Sequence, residues 1–168
     1  MAYQDHFKLA DDLISHLNSI MGCVTDPFIS SRYVGFVAVV STTVFELAIK
    51  DIFIEFSDKK HKVLGTFTRK YFERLNGRIK YKELKETHMV RYGSKYVNKY
   101  AKLIQDADKR YVKAHGIGIL SSYNNIIEWR HQFAHEGKIP TTATYDEVIR
   151  AFEAGKEVIH CLDKAMCR

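Results

Sequence analysis

The sequence predicts an all-helical domain, a bundle of about five to six helices, and three observations carry that expectation. Apolar residues recur with a period near 3.6 rather than 2 along almost the whole chain. Only two prolines occur, Pro27 and Pro140, so few points force the chain out of a helix. The one dipeptide typical of a tight hairpin is Asn76-Gly77. A chain of 168 residues suits a single domain over residues 1–168, long enough to bury a core without staples.

Taken in order, helices are expected over 4–21, 31–56 and 58–75, then a broken helical stretch over 82–113, then 121–136 and 145–166. The first starts in MAYQDHFKLADDL, which has acids where a secretory signal needs a basic start and an apolar run; the sequence therefore predicts an untargeted, cytoplasmic chain. The second contains YVGFVAVVSTTVF at 33–45. Glu46, Lys50, Asp51 and Glu55 follow too soon for a membrane span, so this predicts a buried central helix. The third rests on apolar period alone. The fifth stops where Gly137 can take the left-handed conformation past the helix end and Pro140 prevents continuation, which puts His135 in its last turn. The sixth opens on Thr144 and Glu147, a capping box in which hydroxyl and carboxylate satisfy amides freed at the helix start.

Cys23, Cys161 and Cys167 are odd in number and lack CxxC spacing, which argues against a disulfide framework or a cysteine zinc site and fits a reducing compartment. Net charge is +6, with a pI near 9.1, which favours polyanionic partners. That charge is concentrated. Residues 69–113 hold fourteen Lys and Arg against five acids, an excess larger than that of the whole chain. In the same stretch Tyr92, Tyr96 and Tyr100 recur every four residues beside Lys95, Lys99 and Lys102. Such a pattern can track a nucleic-acid backbone and stack bases, which makes the three lysines candidate RNA contacts. The same spacing also packs one helix face inward and leaves the lysines to solvate the other.

Chemistry concentrates in EWRHQFAHEG, residues 128–137. His131 and His135 stand at i and i+4, as the zinc-binding pair of HExxH does. Gln132, however, cannot act as that motif's general base, and no further ligand follows at a zincin spacing. The sequence predicts neither metal nor cofactor. Arg130 and His135 make Arg-x4-His, a permanent cation followed by a residue type that moves protons near neutrality. Cleaving RNA without metal needs both kinds of group: one to move protons at the 2′-hydroxyl and the leaving 5′-oxygen, one to stabilise charge on the phosphorane. Five residues along a straight helix separate two side chains by about 140° and roughly 7.5 Å of rise, so the pair does not converge by itself. Either the last turn is distorted, or two motif helices from two chains complete each other's site. A structural reading stands beside this: Arg130, beyond Tyr123, Ile126 and Ile127, pairs with Glu46 or Glu128, and His135 caps helix-end carbonyls.

The RHQFAH hexapeptide resembles the R-x4-6-H signature of the HEPN superfamily, in which a polar residue, here His131, follows the Arg. Its place on the penultimate helix, with one capped helix after it, is similar too, as is the apolar helix STTVFELAIKDIF carrying Glu46. The resemblance implies a HEPN-like, metal-independent endoribonuclease that forms a homodimer through its motif helices. Such domains are common in toxin–antitoxin, abortive-infection and other antiviral systems. It implies catalytic roles for Arg130 and His135, support or orientation by His131, and polar support by Glu46. The partners implied are an RNA substrate, a second copy of the chain, and an antitoxin or other defence-system protein. HEPN toxins restrained by a nucleotidyltransferase often continue as R-x4-H-x-Y; the matching position here is Gly137, which departs from that form of control. The alternative within the resemblance is a non-catalytic module that binds RNA, a nucleotide or a protein.

Overall fold

The computed structural model describes residues 2–73, 75, 77–138 and 143–167. Among them all regular structure is helical: α1 (Ala2–Met21), α2 (Pro27–Asp58), α3 (Lys62–Phe72), a short α4 (Tyr81–Glu83), α5 (Ser94–His115), α6 (Ile119–Glu136) and α7 (Tyr145–Met166). Arg74, Asn76 and Pro140, a cation, a turn residue and a helix stop in the sequence, lie outside the described residues.

Differences from the expected bounds have local causes. α2 starts at Pro27 rather than four residues later, because Asp26 accepts a hydrogen bond from the Phe28 amide and proline suits the first helical position. The apolar pattern begins only beyond that cap. At its other end α2 runs through Asp58, and α3 opens afresh at His61, whose Nδ1 accepts from the Val63 amide. The expected broken stretch is broken: α4 passes into a π-helical turn, Leu84–His88, then a 3-10 turn, Met89–Tyr92, which ends at Gly93 with φ 114°. α5 and α6 both end on a left-handed glycine, Gly116 (φ 73°) and Gly137 (φ 65°).

α2 is the central helix and packs against α1, α3, α6 and α7. At its middle the fully buried Phe45 stacks on Phe152 of α7 at 5.5 Å and meets Tyr123 of α6 at 5.4 Å and Phe7 of α1 at 6.2 Å. Burying such a ring contributes about 1.5–3 kcal/mol relative to exposure. α7 can approach this closely because Gly155 faces the ring: a Cβ there would lie 2.6 Å from Phe45 Cζ. Towards the end of α2, Phe53 stacks on Phe72 and on Tyr92 at 4.9 and 5.2 Å, Phe56 meets the edge of Tyr96 at 5.1 Å, and Tyr100 is fully buried. The three periodic tyrosines therefore face the core, as helical packing requires, and offer no open stacking platform. Cys23, Cys161 and Cys167 are free thiols, and no helix among the described residues is long and apolar enough to cross a membrane.

Candidate functional site

The motif helix α6 is regular through Glu136, with the Gly137 amide closing its last turn onto the Phe133 carbonyl at 3.0 Å. A distorted last turn is therefore not how Arg130 and His135 approach each other. They line one open cavity of about 410 Å³, together with His131, Ile127 and Glu128 of α6, Thr42 of α2, and Gly77, Arg78 and Lys80 from the segment before α4.

Two contacts from α2 aim the end of α6. Gly35 leaves room for the Phe133 ring, which lies within 2.5 Å of where a Cβ on residue 35 would stand. Arg32 Nη1 donates to the Gly137 carbonyl at 2.8 Å, and its guanidinium sits over the Phe28 ring, 4.6 Å from the centroid. A cation at this end also complements the negative end of the helix dipole. His131 and His135 are exposed and their ring centroids are 4.5 Å apart. Among the described residues no cluster of three or more His, Cys, Asp or Glu surrounds them.

Arg130 is half-buried and turns towards Gly77, where a Cβ would lie 3.9 Å from Nη1. No ion pair to Arg130 forms among the described residues: Glu128 bonds Lys80 at 3.1 Å, and Glu46 accepts from the Gly77 amide at 2.9 Å. The structural reading in which Arg130 is locked in a salt bridge is therefore not the arrangement observed. Burial raises the Glu46 carboxyl above its ordinary value, opposed by the Gly77 amide and by the Arg130 charge. Glu46 thus reaches the site indirectly, by holding the turn against which Arg130 packs.

The structure brings Arg130, His131 and His135 to one cavity, with Glu46 behind it. It does not bring Lys95, Lys99 and Lys102 there. These are exposed on α5, and Lys99 Nζ donates to the Cys167 carbonyl beyond the end of α7, while the motif lies near the start of that helix. Arg78 and Lys80 belong to the basic stretch without standing out in it, and Thr42 and Arg32 carry no sequence signal at all. The Asn76-Gly77 dipeptide just ahead of Arg78 is the clue in the sequence that this part of the run leaves helical geometry.

Comparison with curated proteins and with solved structures returns no match. A family model described as RiboL-PSP-HEPN matches residues 2–168. That match covers nearly the whole helical bundle, motif cavity included, and it supports an RNA-related function. The chain therefore belongs to the RiboL-PSP-HEPN family, an all-helical branch of the HEPN superfamily.

Proposed function

We propose that the protein is a metal-independent endoribonuclease and acts as a toxin or antiviral-defence effector. The 2′-hydroxyl of the substrate attacks the adjacent phosphorus, the bond to the 5′-oxygen breaks, and the products carry a cyclic phosphate and a 5′-hydroxyl. His135 moves protons in this exchange, Arg130 stabilises the phosphorane charge, His131 supports His135, and Glu46 supports Arg130 through the turn. The observation that carries the reading is the gathering of Arg130, His131 and His135 with Arg78 and Lys80 around one cavity whose single carboxylate, Glu128, is already paired.

The working form in this reading is a homodimer. α2 presents a helical stripe of Phe36, Thr43 and Leu47, with the half-buried Val40 between them, next to the cavity; Phe36 is 49% and Leu47 37% exposed. Phe36 also meets the edge of Phe133 of the motif helix at 5.7 Å, so a second copy seated there covers apolar surface and stands beside both cavities.

The test is cleavage of single-stranded RNA in excess chelator. Wild-type protein is expected to cut and leave 2′,3′-cyclic ends, with His135→Ala and Arg130→Ala each slower by about two orders of magnitude or more. Loss of wild-type cleavage on chelation, or full activity in both variants, overturns the mechanism.

A further inference from the structure

We propose that residues 77–80 form a second phosphate subsite, in which Arg78 and Lys80 hold the phosphate adjacent to the one handled by Arg130 and His135. The inference deepens the ribonuclease reading and rests on it for the direction of the RNA chain, but the subsite itself stands on separate observations.

The segment is irregular, yet its backbone is fixed at three consecutive residues by three different elements. The Gly77 amide donates to Glu46 of α2 at 2.9 Å; His88 Nε2 donates to the Arg78 carbonyl at 2.8 Å; the buried Tyr123 hydroxyl of α6 donates to the Ile79 carbonyl at 2.7 Å. Ile79 itself is fully buried and Gly77 adopts φ 73°, so the segment turns sharply and cannot slide. His88 is in turn oriented by the Tyr71 hydroxyl, which donates to Nδ1 at 3.0 Å; burial lowers its basicity and keeps the ring in the neutral form that this bond pattern needs. A loop fixed this way presents side chains as rigidly as a helix does.

What it presents is positive charge. Arg78 and Lys80 are exposed and line the motif cavity, with Arg130 packed one residue away against Gly77. Lys80 is held by Glu128 in a pair whose side chains are 49% and 47% exposed, an ion pair of about 0–1 kcal/mol that a phosphate can share or replace. Thr42 also lines the cavity, with its Oγ1 buried and without a hydrogen-bond partner among the described residues. Two cations from the 77–80 segment, with Arg130 and the histidine pair of α6 around the same cavity, suit a phosphodiester chain with two successive phosphates rather than a single phosphate group.

The experiment compares Arg78→Ala, Lys80→Ala and, as a surface-charge control, Lys8→Ala on α1, a helix that contributes nothing to the cavity. Steady-state cleavage is measured on a trinucleoside diphosphate and on a dinucleoside monophosphate. Binding of a ten-nucleotide RNA is measured against salt in the His135→Ala background. Expected for Arg78→Ala and Lys80→Ala are a KM on the longer substrate raised roughly tenfold with kcat within about twofold, little change on the shorter one, and a log-affinity salt slope shallower by about 0.7 for each phosphate no longer neutralised. Lys8→Ala changes neither. Unaltered salt slopes in both variants overturn the subsite, whether or not His135→Ala abolishes cleavage. Shallower slopes in a protein that cuts no RNA at all overturn the catalytic reading and leave the subsite standing.

Discussion

In the proposed site Glu46 acts without touching the reacting atoms. It sits half-buried on the central helix, and burial pushes its carboxyl above the ordinary value of 4.5 despite the Gly77 amide and the Arg130 charge. The sign follows from proton binding. The folded chain holds this proton to higher pH than the unfolded chain, so stability falls as pH rises from the ordinary carboxylate range through the raised value. Glu46→Gln keeps an oxygen to accept from Gly77 and removes the charge. At about pH 7 the variant is therefore expected to melt no lower than wild type, and the wild type to gain on it as pH falls towards 4.5. Thermal melts of both proteins across that window check this. A wild type that loses ground on acidification would mean that attraction to Arg130 outweighs desolvation.

Between elements, the crossing of α2 and α6 decides where His135 points, and Gly35 decides how close that crossing is. A Cβ on residue 35 would overlap the Phe133 ring at 2.3–2.5 Å, and Phe133 lies between His131 and His135 in sequence. Gly35→Ala gains up to about 1 kcal/mol of helix propensity and loses about 1–3 kcal/mol to overpacking, so the net loss of stability is expected to be about 2 kcal/mol or less. Displacing the ring nevertheless shifts the last turn of α6. Cleavage by Gly35→Ala is expected to fall about tenfold at a temperature where circular dichroism shows full folding, since a misplacement near 1 Å costs more in catalysis than in stability; unchanged cleavage would detach the helix crossing from the site. This crossing is not legible in the sequence, because a glycine inside an apolar run carries no mark of the ring that faces it. The helices themselves are legible from apolar period, and α7 to its first residue from the capping box, because those signals are local. Arg130 and His135 are legible as chemistry through residue type and spacing. Arg78 and Lys80 stay hidden in a run of cations, and only the long-range bonds from Glu46, His88 and Tyr123 distinguish them from Lys95, Lys99 and Lys102.

At the scale of the whole molecule the question is whose Arg130 works with whose His135. On the regular helix α6 the two side chains are separated by about 140° and roughly 7.5 Å of rise, although both line one open cavity. In the proposed homodimer a second copy seated on the exposed stripe of α2 would bring another motif helix to that opening, with each site taking its Arg from one chain and its His from the other. This arrangement makes a prediction that a site within one chain cannot share. Arg130→Ala and His135→Ala proteins are each expected to be nearly inactive, but mixing and re-annealing them would produce heterodimers in which one site keeps both groups and the other has neither. With random pairing half the dimers are mixed, so activity is expected to return to about a quarter of the wild-type level per chain. If the sites lie within single chains, every site in the mixture lacks one group and the mixture stays as inactive as its components. Phe36→Glu, which places a charge in the apolar stripe, is expected to abolish the recovery by keeping the chains monomeric, as light scattering on the eluted protein would report.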